Sequence, residues 1–203
     1  MEHYIEPKTK RGLATLNKII DAAEKLFVEK GYYDTQVNDI AQEAGVATGT
    51  FYIYFPDKIS VFRHLVQTLG HQLRKEISIK TKDCRTFTEA EEAGLRMFIQ
   101  FVQEHIGLFH IVWQAQYVDI DSFKNYYERF SAAYTKHIKR AIKRGEIKPF
   151  KPEMLSYYMI GVYNFVVLKV LLFDQTTPTE ALIQDTLRFV RFGYEKLPLE
   201  TDA

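Results

Sequence analysis

Apolar residues recur at intervals of three and four positions along most of this chain, and that spacing predicts a succession of amphipathic helices. Over residues 12–30, one stripe is apolar while lysine and acidic side chains occupy the opposite face. Only six prolines and ten glycines interrupt the 203 residues, which argues against a many-turned β protein. The further helices predicted by the pattern cover residues 35–44, 47–54, 57–80, 89–105, 108–117, 119–144, 152–173 and 179–196. The sequence therefore predicts an all-α protein.

Residues 35–58 are predicted to form two short helices joined by a tight turn. Thr35 can cap the first helix, because its hydroxyl can accept from a backbone N–H two or three residues on. Gly45 follows where a chain leaving a helix often needs a left-handed conformation, and Pro56 cannot continue the second helix. Asp57 is a favourable N-cap for the longer helix that follows. Such a pair matches the helix-turn-helix, whose second helix enters the major groove of DNA. The pattern alone is a weak signal, since many helical hairpins bind no DNA.

The second helix of this pair has a predicted outward face without acidic residues, formed by Thr48, Gly49, Thr50, Tyr52 and Tyr54. Small or hydroxylated side chains suit a close approach to base edges and phosphates, so this face is the predicted DNA-binding surface. Thr35, at the start of the first helix, could offer hydroxyl and backbone N–H groups to a phosphate.

Positive charge is not abundant in the chain, whose net charge is +1. If DNA is bound, the charge must be concentrated locally. The N-terminal arm carries Lys8, Lys10 and Arg11. These residues are predicted either to contact phosphates or the minor groove, or to form a solvated terminus.

No catalytic or metal-binding motif occurs in the sequence, and the only cysteine, Cys84, excludes an internal disulfide. The N-terminus lacks the apolar run of a signal peptide. We therefore expect no enzymatic activity, no cofactor, no metal and a cytoplasmic location. Residues 155–173 are apolar enough to suggest a membrane span, but Asn164 and Lys169 favour a bundle core or an oligomer interface.

The string GVATGTFYIYFPDK, preceded by VEKGYYDTQVNDIAQEAG, resembles the TetR family of bacterial transcriptional regulators over about residues 13–69. The resemblance implies an N-terminal three-helix domain with a helix-turn-helix and a C-terminal helical bundle domain. It also implies phosphate contacts for Tyr52 and Lys58, which match positions with that role in the family. In such proteins the last two long helices, here about 152–173 and 179–196, form a four-helix bundle across the two-fold axis of a homodimer.

The resemblance further implies a ligand-responsive repressor that binds a palindromic operator. The predicted division of roles is 1–56 for DNA binding, 57–80 for a linking helix, and 81–203 for ligand binding and dimerisation. Aromatic residues are frequent in the second half and are the candidate lining of a pocket for a largely apolar effector: Phe101, Phe109, Trp113, Tyr117, Phe130, Tyr134 and Phe165. Three alternatives remain open: an effector-independent DNA-binding protein with a solid aromatic core, a small helical enzyme, and a membrane-attached helical protein.

Overall fold

The computed structural model describes residues 4–5, 7–173 and 179–193, and within those ranges it contains helices and no strand. This architecture confirms the predicted all-α class. The helices are α1 (Lys10–Glu29), α2 (Gly31–Asp34), α3 (Val37–Glu43), α4 (Thr48–Tyr54), α5 (Lys58–Thr81), α6 (Phe87–Glu104), α7 (Ile106–Val118), α8 (Ile120–Lys143), α9 (Pro152–Leu168) and α10 (Thr179–Phe192). A π-helical segment, Lys169–Phe173, continues α9.

The chain divides into two compact units, each of which draws on two stretches of sequence. Unit 1 contains the described residues up to Arg74 together with Glu104–Phe130. Unit 2 contains Lys75–Gln103 together with the described residues from Ser131 onward. Helices α5 and α8 contribute residues to both units. The division of roles predicted from the sequence concerns function, and it stays a prediction.

Unit 1 is built around α1, which packs against α3 and α7. Its fully buried large side chains include Ile19 and Phe27 of α1, Ile40 of α3, Phe51 of α4 and Phe62 of α5. These residues come from four different helices, so the short helices α3 and α4 depend on tertiary packing rather than on intrinsic helix stability.

The turn between α3 and α4 has the geometry predicted for it. Gly45 has φ +66°, a left-handed conformation that costs glycine little and other residues more. The N–H of Val46 donates to the carbonyl of Ala41 at 2.9 Å, which closes the end of α3. The predicted cap of α5 is also confirmed, because the N–H of Ser60 donates to Asp57 Oδ1 at 2.8 Å. The helix-turn-helix is therefore present as predicted.

Unit 2 encloses a carboxylate, Glu91 of α6, that is only 8% exposed. The hydroxyl of Tyr163 donates to its Oε2 at 2.6 Å, and the hydroxyl of Tyr134 donates to the same oxygen. Burial raises the pKa of Glu91 above its ordinary value, while the two tyrosine donors act in the opposite direction. The cluster connects α6, α8 and α9 through polar contacts in the core of unit 2.

The apolar helix α9 exposes much of one face. Pro152–Phe173 is long and apolar enough to cross a membrane by length and composition, and 33% of its most apolar window is buried inside the protein. Tyr158, Phe165 and Phe173 are 58%, 65% and 71% exposed, whereas Tyr163 and Val167 face the core of unit 2. This helix thus presents apolar surface on two sides.

The buried carboxylate predicts a pH dependence of stability. Because the folded-state pKa of Glu91 is raised, the folded protein holds this proton above pH 4.5, where the unfolded chain loses it. The contribution of Glu91 to the free energy of unfolding should therefore fall as the pH rises from about 4.5 through the folded-state pKa. Glu91→Gln should remove that dependence in urea unfolding measured from pH 4 to 8, and Glu89→Gln, an exposed neighbour, should retain it. Parallel curves for wild type and Glu91→Gln would contradict the assignment.

Candidate nucleic-acid interface and a charged cavity

The outer surface of α4 carries several of the predicted DNA-binding residues. Gly49 is exposed, Tyr52 is 52% exposed, and Thr48 and Thr50 are half-buried. A side chain at position 49 would meet no atom within 4 Å, so nothing in the protein crowds this point of the helix. The surface is therefore free to approach a ligand closely, as the sequence predicted.

Two further residues belong to this surface and were missed from the sequence. The hydroxyl of Thr48 donates to Asn38 Oδ1 of α3 at 3.0 Å, so Asn38 lies beside the start of α4. Ile53 follows Tyr52 and is 59% exposed. The helical spacing of Phe51 and Tyr54, three residues apart, could have identified Ile53 as outward.

Tyr54 was predicted to face DNA, and this prediction is wrong. The side chain is 9% exposed. Its hydroxyl approaches α1, where it lies 3.5 Å from the position that a Cβ on Gly12 would occupy. The cause is helical phase, because residues 51 and 54 lie on the same face and Phe51 is fully buried.

Thr35 was predicted to cap α3 and to contact a phosphate through its hydroxyl, and the structure contradicts both roles. The residue is fully buried. Its hydroxyl donates to the carbonyls of Gly31 at 2.8 Å and Leu26 at 3.3 Å. The start of α3 is instead closed by Asp39, whose Oδ2 accepts from the N–H of Gln36 at 3.0 Å. The unpredicted helix α2 turns the chain so that Thr35 lies beneath it.

Lys58 has an internal role that the sequence did not indicate. Its ammonium donates to the carbonyls of Thr35 at 2.6 Å and Tyr32 at 2.8 Å, and it lies 4.2 Å from the centre of the Tyr32 ring. Burial lowers the pKa of Lys58, although nearby Asp34 and Asp39 raise it. Two of its three N–H groups are thus occupied, and a phosphate contact through the third stays a prediction.

Lys10 and Arg11 are exposed, but they lie in the first turn of α1 rather than in an arm. Thr9 caps this helix, accepting from the N–H of Gly12 at 3.0 Å. The first turn contains no acidic residue. Cations at a helix N-terminus oppose the helix dipole, so intrahelical electrostatics do not explain this cluster. An external anion such as a DNA phosphate would offset that repulsion.

Polar contacts hold α7 against the chain just before the helix-turn-helix, and α5 against the start of α8, within unit 1. The side chain of Gln114 in α7 accepts from the N–H of Tyr32 and donates to the carbonyl of Phe27, each at 2.9 Å. Arg63 of α5 donates to both carboxylate oxygens of Asp119, at 2.8 and 3.2 Å. This hydrogen-bonded pair lowers the pKa of Asp119. Asp119 also accepts from the Ser122 hydroxyl at the start of α8.

A cavity of about 340 Å³ lies beside this ion pair in unit 1. Its walls come from the middle of α5 and the first turns of α8, and they include three arginines, Arg63, Arg74 and Arg129. Two aspartates, Asp119 and Asp121, also line it. Its volume falls in the range of small-molecule sites, but its lining is charged rather than aromatic.

The predicted aromatic pocket is wrong at two of its residues. Tyr117 is 77% exposed and Phe165 is 65% exposed, so neither lines an interior cavity. Tyr117 lies at the end of α7, next to the last residue of the helix. Phe165 lies on the face of α9 opposite the core of unit 2. Aromatic identity alone did not reveal which face of each helix these residues occupy.

The other five predicted effector residues do not form one group in the structure. In unit 1, Phe109 is buried and its ring centre lies 6.2 Å from that of Trp113. Phe130 is half-buried, and the Arg74 guanidinium lies 5.3 Å from the centre of its ring. In unit 2, Phe101 is buried and Tyr134 donates to Glu91. Their involvement in effector binding stays a prediction.

No group of three or more His, Cys, Asp or Glu side chains is positioned to bind a metal within residues 4–5, 7–173 and 179–193. Trp113 has a buried Nε1–H without a hydrogen-bond partner in the same described part of the chain. A buried donor without a partner is unfavourable, and a bound ligand could supply the acceptor.

Comparisons with known proteins agree with this geometry. The sequence model described as "Bacterial regulatory proteins, tetR family" matches residues 19–65. The uncharacterised regulator YhgD of Bacillus subtilis is 28% identical over 149 residues, which are 71% of this chain and 78% of that protein. The fatty acid metabolism regulator protein of B. subtilis is 40% identical over 67 residues, 31% of this chain and 34% of that protein.

Similarity to a solved structure extends over most of the chain. The crystal structure of FadR from B. subtilis in complex with stearoyl-CoA has a TM-score of 0.78 to this protein. The match covers 89% of this chain and all of that one at 21% identity. At this identity the similarity establishes the fold.

The position of Lys58 predicts a loss of stability on its removal. Lys58→Met should lower the free energy of unfolding by about 2 kcal/mol, because two carbonyls lose charge-assisted hydrogen bonds. Lys18→Met, at an exposed position of α1, is the matched control and should change stability by less than about 0.5 kcal/mol. Urea unfolding monitored by circular dichroism measures both. Equal effects of the two substitutions would contradict the internal role of Lys58.

Proposed function

This chain belongs to the TetR family of bacterial regulatory proteins, and on that premise we propose that it is a ligand-responsive transcriptional repressor. It binds a palindromic DNA operator as a homodimer and is released by a small molecule with a large apolar part. The observation that carries the proposal is the surface of α4, where Gly49, Thr50 and Tyr52 are accessible and no acidic residue intervenes. Two such helices in a dimer would enter successive major grooves about 34 Å apart, or a small multiple of that distance.

The exposed aromatic residues of unit 2 support a dimer through α9 and α10. Phe165 of α9 is 65% exposed, and Phe189 and Phe192 of α10 are 48% and 54% exposed. A contiguous exposed apolar surface is typical of a protein–protein interface. The part of the predicted last helix beyond Gly193 lies outside the described residues.

The chemistry of the effector is suggested by relatives. The similar solved structure of B. subtilis FadR holds stearoyl-CoA, and the B. subtilis relative matched in sequence is named for the regulation of fatty acid metabolism. We propose a long-chain acyl compound as the effector. The buried, unpartnered Nε1–H of Trp113 supports a polar ligand atom near α7. A coupling free energy of about 1–3 kcal/mol between effector and operator would change DNA affinity 5- to 150-fold.

Selection of bound sequences from random DNA with the purified protein tests the proposal. The expected product is a palindrome whose half-sites lie about one helical turn apart, or a small multiple of a turn. Addition of stearoyl-CoA should then weaken binding to the selected operator. Failure to enrich any palindrome would contradict the regulator assignment, and an operator unaffected by acyl compounds would favour an effector-independent DNA-binding protein.

The roles of individual side chains predict different effects on operator binding. Lys10→Gln should weaken binding to all sequences alike and reduce the salt slope by about 1, because it removes one phosphate contact. Thr50→Ala should instead relax sequence preference at one or two positions. Fluorescence anisotropy at several salt concentrations measures both effects, with Thr88→Ala as a control far along the sequence. An unchanged salt slope for Lys10→Gln would exclude its phosphate contact.

The proposed dimer predicts a separate outcome at Phe165. Phe165→Glu should shift the protein to monomers by sedimentation at micromolar concentration, because a charge would be buried at the interface without a partner. The fold should survive, since the native side chain is 65% exposed within its own subunit. Ala132→Glu, at an exposed position of α8, should leave the dimer intact. If the Phe165→Glu variant remains dimeric, Phe165 is not part of the dimer interface and the proposed interface is wrong.

A further inference from the structure

The cavity of unit 1 contains more positive charge than its own residues neutralise. Arg63 is paired with Asp119, but Arg74 and Arg129 make no ion pair with any residue in the described part of the chain. Arg129 donates to the neutral side chain of Asn125. Arg74 lies against the ring of Phe130, 5.3 Å from its centre. Asp121 is the second acidic residue of the lining, and it is exposed.

The positive charges of Arg74 and Arg129 repel each other. Burial lowers the pKa of Arg74, and the charge of Arg129 lowers it further. Guanidinium groups nevertheless remain charged in proteins, so two cations share the cavity wall without a bound carboxylate of their own. An anion between them would relieve this repulsion.

At Gly70 the Tyr126 ring and the Arg74 guanidinium pack directly against the backbone of α5. A Cβ at this position would lie 2.9 Å from Cδ2 of Tyr126 and 3.1 Å from Nη1 of Arg74. Even a methyl group would therefore displace the tyrosine ring or the guanidinium. Glycine is unfavourable inside a helix by about 0.5–1 kcal/mol relative to alanine, and here it permits the close approach of α8 and the placement of Arg74.

We propose that this cavity is an anion subsite that binds a phosphate group of the effector through Arg74 and Arg129. A phosphate ester matches two arginines better than a carboxylate does, because it carries nearly two negative charges and three acceptor oxygens, enough for both guanidinium groups at once. Val66 and Tyr126 supply apolar surface in the same cavity, on which the organic part of the ligand can pack. The inference rests on the proposed ligand response and narrows it to effectors that carry a phosphate ester.

Phosphate binding in the cavity can also affect the DNA-binding surface, through α5. Arg63 lines the cavity and holds Asp119, at the start of α8, with two hydrogen bonds. Five residues earlier on the same helix, Lys58 holds the carbonyls of Tyr32 and Thr35. A phosphate that competes with Asp119 for Arg63 would loosen α5 at one point, and the displacement would reach the start of α3.

Isothermal titration of the full chain with stearoyl-CoA, coenzyme A and stearate tests the subsite. Arg74→Gln and Arg129→Gln should each weaken binding of the two phosphate-bearing probes about tenfold, as expected for loss of a charge-assisted contact. Asp121→Asn should strengthen it several-fold, because it removes a negative charge of the same cavity. Arg140→Gln, an exposed substitution on α8 with the same change in net charge, should have no effect. Stearate binding should be insensitive to all four substitutions.

The opposite responses at Arg129 and Asp121 separate a subsite from a structural role, since damage to the fold would weaken binding in both variants. Arg129 and Asp121 are exposed, so both variants should keep the wild-type melting temperature. Equal affinities of Arg129→Gln and Arg140→Gln for stearoyl-CoA would overturn the inference. So would a wild type that binds neither phosphate-bearing probe.

Fluorescence anisotropy with the selected operator distinguishes a failure of the anion subsite from a failure of the proposed ligand response. If stearate alone releases DNA while the phosphate-bearing probes do not bind, the ligand response stands and the subsite is overturned. If the titrations behave as expected but stearoyl-CoA leaves operator affinity unchanged, the subsite stands and the proposed response to this ligand fails.

Discussion

The attachment of α5 to the start of the helix-turn-helix is the constraint on which the rest of unit 1 depends. The Lys58 ammonium donates to the carbonyls of Tyr32, in α2, and of Thr35, just after α2. It also lies over the Tyr32 ring. Tyr32 in turn packs edge-on against Phe62, with ring centres 5.1 Å apart. One cation therefore fixes the first turn of α5, the chain before α3 and the aromatic core between them. Any displacement of α5 along its axis must break these contacts or carry α3 with it.

The second attachment of α5 is an ion pair rather than an apolar contact, and this difference has a functional consequence. Apolar packing responds weakly to a charged ligand, whereas the Arg63–Asp119 pair competes directly with any anion in the adjacent cavity. The Arg63 side chain is 36% exposed while that of Asp119 is 11% exposed, so a ligand anion can reach the guanidinium from the solvent side and take the place of Asp119. The arrangement suits a switch, because the contact that a ligand can break lies on the helix that holds the DNA-binding element.

Local signals made much of the fold predictable from the sequence. Gly45 and Asp57 act through their own backbone and side-chain chemistry, and both were identified correctly. The predictions failed where one local sequence pattern is compatible with two different structures. Thr35 precedes a helix as a capping residue does, yet its hydroxyl donates to α1 and α2 because of a turn that the sequence did not reveal.

The candidate site was less predictable, because it depends on contacts between distant residues. Gln114 and Tyr32 are separated by 82 positions, and Arg63 and Asp119 by 56. Periodicity shows which face of a helix is apolar, but not which helix lies opposite it. The aromatic residues of the second half were for this reason assigned to a single pocket, whereas Phe165 faces outward and Tyr134 binds a buried carboxylate.

The distance between the two α4 helices of the dimer tests the central claim most directly. A spin label at Lys18→Cys, an exposed position of α1 outside the DNA-binding surface, in a Cys84→Ser background, places one probe on each DNA-binding unit, so the label separation follows that of the α4 helices. Pulsed electron resonance should give one label separation with operator bound and a different one after stearoyl-CoA is added. The Arg129→Gln variant should need a higher ligand concentration for the same change. A separation that stearoyl-CoA leaves unchanged, at concentrations that saturate binding, would contradict the account.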